Sequence, residues 1–449
     1  MDLLQIRPVQ AFFASRRFPF LLRLISTAVF ALVLVYSFLG SPHGENNFGV
    51  AVTWSIWWAL LPLSTILLGR IWCSFCPISF ISDHVLRLLG RSENQDLFPA
   101  SLAASVAGLL LLGLSWAAVV WRIEGLPQAT GLTLLLLLIG ALVVGLLFGR
   151  KSWCRNLCPI GVLTGLYAMI AVVELRPDPD ACERGCGKAK ASCPASRRSQ
   201  CCLLRQPLPL LESNFQCNLC GDCIKACRHK SPRLRLRVPG REVSSLVTPS
   251  IGQSAVVLMI VGVVLLDLIR MTNLYPAYMK WIMENGLFRD YQIAFSVTFL
   301  ALILGVLGIY FTAALVSSFA ASERLTINFA RFGYSYLLVV VVAHLGSVLF
   351  HFLVQGTRPM LAIGKELGLP IVLPAVVRGS IYVVNEPLQM AQLALLALGM
   401  LGAIHAIWQM ANRNNGKRRV AVAAPHLVLL LSLSLGLGYL LSLPMGVMH

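Results

Sequence analysis

Acidic side chains are scarce in this chain, with 19 Asp and Glu among 449 residues against 37 Lys and Arg. Charged residues of both signs make up only 12% of the total, and hydrophobic residues 57%. A chain this poor in charge cannot clothe a globule in solvated groups, which excludes an ordinary soluble protein. There is no nucleotide-binding loop, no flavin motif and no C-x-x-C-H haem attachment site, so a complete enzyme is not expected. Cysteine is missing before Cys73 and after Cys227. Near Met1 no short apolar region is followed by a small-residue cleavage site. The N-terminus is therefore expected to be retained, with the first helix as an anchor.

What is present is length of apolar sequence. Nine stretches are long enough to be read as transmembrane helices: Leu24–Gly40, Val50–Gly69, Ser101–Val120, Gly131–Gly149, Gln253–Ile269, Ile293–Phe319, Tyr334–Val354, Pro387–Met410 and Val420–Leu441. The fold class expected is an all-α polytopic membrane protein with a small inserted module. Lysine and arginine placement orients it. Arg7, Arg16, Arg17 and Arg23 precede the first helix, and Arg70, Arg87 and Arg91 follow the second. The segment from Arg176 to Glu242 holds fourteen Lys and Arg against six Asp and Glu. All fall on the cytoplasmic side of an alternating scheme in a bacterial inner membrane, and the C-terminus falls on the periplasmic side. The net charge of +18 is then explained by basic cytoplasmic loops beside anionic membrane lipid, with no nucleic acid needed. All 13 cysteines fall in segments read as cytoplasmic, which argues against a disulfide scaffold.

The cysteines carry the chemistry. Cys217, Cys220, Cys223 and Cys227 form the run C-x2-C-x2-C-x3-C, the bacterial ferredoxin spacing for a [4Fe–4S] cube. Cys182, Cys186 and Cys193 precede it, followed by the adjacent pair Cys201 and Cys202. Two clusters need eight thiolates, and these positions supply them with one of the pair left over. In the crossed pattern of two-cluster ferredoxins, Cys227 joins Cys182, Cys186 and Cys193. Cys201 or Cys202 joins Cys217, Cys220 and Cys223. A tetrahedral zinc site is the competing chemistry.

Upstream lies an internal repeat. LGRIWCSFCPI (Leu68–Ile78) and FGRKSWCRNLCPI (Phe148–Ile160) each follow the second helix of a pair. Parallel repeats place both loops on one face, so Cys73, Cys76, Cys154 and Cys158 can converge under the membrane surface. They read as a metal or cluster site, as thiols relaying electrons, or more plainly as buried free cysteines beside turns. Arg70, Arg150, Lys151 and Arg155 are expected to lower the thiol pKa values.

At these residues the chain resembles the NapH/NosR-type integral membrane ferredoxins over roughly residues 20–245. The resemblance implies a duplicated helix-pair domain at 24–175 after a cytoplasmic N-terminus at 1–23. A cytoplasmic ferredoxin-like module with two [4Fe–4S] clusters follows at 176–245, then an additional membrane domain at 246–449. It implies electron transfer between membrane quinol, or a cytoplasmic donor, and a respiratory or periplasmic partner on one or both faces. More distant relatives imply the alternative, an accessory protein that reduces a metal or thiol during maturation of a metalloenzyme. The chain departs from the family in its shortened first Cys-Pro loop, in the x3 and x6 spacing after Cys182, and in Arg228 where a proline usually follows the last cysteine.

In the C-terminal five helices, ionisable residues at membrane depth are candidate sites. His344 and His351 share a face, His405 lies on the next helix, and Asp267 sits near a helix end. His344 with His405 is the candidate pair for haem b. The alternative is a quinone pocket, with Asp267 taking protons.

Overall fold

The computed structural model describes residues 2–91, 98–186, 202, 204, 208–245, 248–286, 288–355, 357–368, 385–415 and 418–443. Among these are nine helices long and apolar enough to cross a membrane. They are α1 (Phe20–Leu39), α2 (Phe48–Leu68), α3 (Leu102–Val120), α4 (Pro127–Phe148), α5 (Ile251–Arg270), α6 (Tyr291–Ala321), α7 (Leu325–Leu353), α8 (Glu386–Arg413) and α9 (Arg419–Ser442). Each corresponds to one of the apolar stretches. Lipid offers backbone amides and carbonyls no partner, so such a stretch satisfies them internally as a helix.

Two compact units divide the chain. The first comprises residues 1–35, 61–107 and 132–242, and the second 36–60, 108–131 and 243–449. All the cysteine positions belong to the first.

In the first unit the sheet has two strands. β1 (Val173–Pro177) pairs antiparallel with β2 (Pro232–Leu236), in register from Val173 opposite Leu236 to Pro177 opposite Pro232. The prolines stand at the strand ends, where a missing N–H costs no ladder bond. The N-terminal segment docks on this sheet: Asp2 bridges to Arg235, and its carboxylate accepts the Leu234 N–H at 3.1 Å. Phe13, Phe18, Leu175, Leu208, Leu219 and Leu234 close a core around it. Each large side chain so buried contributes roughly 1.5–3 kcal/mol.

Arg237 anchors the end of β2 to the Pro159–Ala168 helix. Its guanidinium donates to the carbonyls of Ala168, Met169 and Ala171 at 2.9, 2.8 and 2.7 Å, and pairs with Glu242. These carbonyls lie at and just beyond the helix C-terminus, where intrahelical partners run out and a cation is favoured. Arg176 reaches the same Glu242 carboxylate at 2.8 Å.

In the second unit, small residues bring helices together, as expected where lipid supplies no hydrophobic drive. A Cβ on Gly399 of α8 would stand 2.8 Å from the Leu338 carbonyl oxygen of α7. Glu366, after α7, caps the N-terminus of α2 by accepting the Phe48 N–H at 2.8 Å. Ser322, between α6 and α7, accepts from Arg418, between α8 and α9, at 3.0 Å. Each contact joins connections of the same parity in chain order.

Candidate iron–sulfur site

The two Cys-Pro loops are built alike. α2 and α4 end at glycines in the left-handed region, Gly69 at φ +67° and Gly149 at φ +94°, which turns the chain sharply out of the helix. A single helical turn follows, Ile71–Ser74 in the first loop and Trp153–Leu157 in the second. Cys76 and Cys158 are then the N-cap residues of the Pro77–Leu88 and Pro159–Ala168 helices, with proline first inside each. Proline loses nothing there because that N–H has no helical acceptor. The capping atom is sulfur: Gly161 N–H donates to Cys158 Sγ at 3.3 Å, and the amides of Ile78 and Ser79 reach Cys76 Sγ. Each helix N-terminus therefore aims its positive end at a thiol.

The four loop cysteines lie close enough to act electrostatically on one another. Cys154 feels Cys158, Cys76 and Cys73, and Cys158 feels Cys76 and Cys73. The expected lowering of their pKa values is corrected by the structure. Burial dominates, pushing Cys76 up to about 11, Cys158 to about 12 and Cys154 well above the ordinary thiol range. Arg70 opposes this weakly at Cys158, whereas Arg150 is turned to Asp83 at 3.0 Å. Among the described residues no three thiol, imidazole or carboxylate groups are already arranged around a single metal position.

In the ferredoxin run, Leu219 (φ +51°) and Gly221 (φ +78°) are both left-handed. Such a winding turns backbone amides toward an anionic centre, as in iron–sulfur loops. A Cβ on Gly221 would stand 2.9 Å from the Phe13 carbonyl oxygen, so glycine is needed for space as well as conformation. The Leu219 N–H reaches Cys217 Sγ, yet burial still pushes that thiol up to about 11. Cys202 hydrogen-bonds to Cys220, the first cause of a raised Cys220 pKa, and lies near Cys217. Cys223 is beside Cys220. Of the adjacent pair, Cys202 is thus the one found with the run; Cys201 lies outside the described residues.

Ser231 joins two other cysteines. Its hydroxyl is 2.9 Å from Cys182 Sγ, and its N–H donates to Cys227 Sγ at 3.5 Å. Cys227 therefore sits with Cys182. Cys186 ends the Pro179–Cys186 helix, and Cys193 lies outside the described residues. Thiols from both cysteine segments are thus drawn near one another, some beside left-handed amides, and thiolates are the donor chemistry of iron–sulfur clusters. No feature of the sequence singles out Ser231, or distinguishes Cys202 from Cys201.

In the second unit, Asp267 accepts from Ser347 at 3.0 Å and lies 3.8 Å from Arg270. Its charge reaches both His344 and His351, and His344 stacks obliquely with Trp58 at 6.0 Å. His405 does not join them. It is exposed and pairs with Gln409 at 2.7 Å. Glu124, which the sequence reading passed over, also faces Asp267.

Residues 50–94 and 130–175 match the family described as a 4Fe-4S binding domain. The two matches fall on the two Cys-Pro loops and end before the ferredoxin run. The ferredoxin-type protein NapH of Haemophilus influenzae is 25% identical over 235 residues, 48% of this chain and 69% of that protein. NapH of Escherichia coli is 25% identical over 170 residues, covering 35% and 59%. The methylamine utilization ferredoxin-type protein MauN of Paracoccus denitrificans is 29% identical over 168 residues, covering 34% and 56%. The chain thus spans 56–69% of the length of these relatives, to which it is similar. No solved structure matches it.

Proposed function

We propose that this NapH-like protein transfers electrons through iron–sulfur centres at the bacterial inner membrane, between the quinone pool or a cytoplasmic donor and a respiratory or periplasmic partner. The observation that carries the reading is the crossed grouping of thiols: Cys202 beside Cys220 and Cys217, and Cys182 joined to Cys227 through Ser231. Two interleaved groups are what a pair of cubanes needs, and one zinc site would not draw them so. Clusters held there would supply one-electron storage. The protein's own part is to orient the thiols, exclude water and present amides to sulfur. In this reading the N-terminal segment and the module face the cytoplasm and the C-terminus the periplasm. A quinone is handled in the C-terminal helices near His344, His351 and Asp267.

The test is iron and acid-labile sulfide analysis of the anaerobically purified chain, with EPR of the reduced protein before and after addition of quinol. About eight or more irons, and clusters that respond to quinol, are expected. Fewer than four irons would refute the reading. Metal confined to the Cys-Pro loops, with no response to quinol, would favour the accessory role in metalloenzyme maturation.

A further inference from the structure

Arg70 stands where both Cys-Pro loops and the ferredoxin run meet. It is 3% exposed, and each nitrogen of its guanidinium makes a separate contact. Nε donates to Cys73 Sγ at 3.3 Å, Nη2 to the Cys154 carbonyl at 3.4 Å, and Nη1 to the Phe215 carbonyl at 3.0 Å. Phe215 is two residues before Cys217, and its ring lies 5.8 Å from the guanidinium. Two glycines of the Pro159–Ala168 helix keep the space open. A Cβ on Gly161 would stand 2.8 Å from Nη2, and one on Gly165 3.3 Å from Nη1.

The repeat supplies an internal comparison. Arg150 holds the equivalent Gly-Arg position in the second loop and pairs with Asp83 at 3.0 Å. Arg70 has no carboxylate partner among the described residues. A buried cation is strongly unfavourable unless something nearby carries the opposite charge. Three of its contacts are to a sulfur and two neutral carbonyls, and neutral thiols cannot balance it. A centre held by thiolates can, because each ligating sulfur has given up its proton.

We propose that Arg70 is the counter-charge and positioning residue of an anionic, thiolate-held centre at Cys73, Cys76, Cys154 and Cys158, and that its contacts couple this centre to the ferredoxin run. The proposal rests on the iron–sulfur reading above. An N–H directed at a ligating sulfur and a fixed positive charge both favour the more negative, reduced state, so Arg70 raises the centre's reduction potential. Because Nη1 holds Phe215, the same residue fixes the approach of the Cys217 segment.

The experiment is an EPR-monitored redox titration of the full-length protein as wild type, Arg70→Gln, Arg70→Lys and Gly161→Ala, with iron and sulfide measured in each. Arg70→Gln should keep its iron while the reduced-to-oxidised ratio of one centre at fixed potential falls at least tenfold, a shift of about 59 mV for one electron. Arg70→Lys keeps the charge and should recover most of that shift. Gly161→Ala displaces the guanidinium without removing its charge and should give a smaller shift of the same sign. Every centre titrating as in the wild type in Arg70→Gln would overturn the proposal. So would equal loss of iron in Arg70→Gln and Arg70→Lys with an unaltered Gly161→Ala protein, since that pattern describes packing alone. A wild-type protein without iron is a separate failure, which removes the electron-transfer reading itself.

Discussion

Replacing Arg237 with methionine isolates the tie between the ferredoxin-like module and the Pro159–Ala168 helix. Methionine fills much of the volume and donates nothing. The carbonyls of Met169 and Ala171 then lose their donor, while that of Ala168 keeps the Ala171 N–H at 3.1 Å, and all three residues are 0% exposed, so water cannot substitute. An orphaned buried acceptor costs about 1–3 kcal/mol. Glu242 is not stripped bare, since it keeps Arg176 at 2.8 Å and the Asn214 N–H at 3.0 Å. The full penalty for an uncompensated buried charge is therefore not added. The expected loss is about 2–6 kcal/mol, set mainly by the two orphaned carbonyls. Proteolysis in detergent under conditions of rapid opening and closing reads the open population, and about 3 kcal/mol corresponds to roughly 100-fold faster cleavage. Arg237→Lys should fall between, because one ammonium cannot span three carbonyls and a carboxylate. Cleavage of Arg237→Met within about threefold of wild type would refute the argument.

Further outcomes are specific to single residues. Cys202→Ala should abolish one cubane EPR signal and Cys201→Ala should leave both; the reverse result would remove Cys202 from the ligand set. Ser231→Ala should speed chelator removal of iron from one cluster about fivefold to tenfold, the scale of a lost hydrogen bond or two, while equal acceleration of both would contradict its placement. In iron-free protein at pH 8, Cys76 and Cys158 should alkylate more than about 100-fold slower than free cysteine. Raised pKa values keep the thiol protonated, so their rates should climb with pH until it nears 11 for Cys76 and 12 for Cys158. Free-cysteine rates at pH 8 would show that the basic residues outweigh burial. His405→Ala should leave the reduced-minus-oxidised spectrum unchanged, because His405 is exposed and paired with Gln409; loss of a b-type band would restore it as an axial ligand.

The membrane helices were legible because apolar length alone specifies them. Their ends were less so, for reasons that depend on partners. α1 begins at Phe20 rather than beyond Arg23, since the Arg23 guanidinium is satisfied by the Ser74 carbonyl at 2.6 Å and need not leave the helix. α7 begins at Leu325 because the Leu325–Gly333 helix continues through Tyr334–Tyr336 without a break. The Cys-Pro repeat was readable from spacing. The hydrogen bond between Cys202 and Cys220 was not, since spacing does not distinguish two adjacent cysteines. Nor was Arg70, whose contact with Phe215 spans 145 residues. Its identical motif partner, Arg150, makes a different bond. The basic loops were read correctly as charge, but their effect on the thiols was overestimated, because burial is a property of the folded chain.

The docking of Asp2, Phe13 and Phe18 on residues around Gly221, Lys225 and Leu234 has a consequence for biosynthesis. At about 5–20 residues per second, a ribosome needs roughly 10–40 s to reach the second set of residues after making the first. During that interval the N-terminal segment waits without its seat, and once the cysteine run emerges its flank is still uncovered. Metal loading therefore has a natural window before the segment holding Asp2, Phe13 and Phe18 closes on the run.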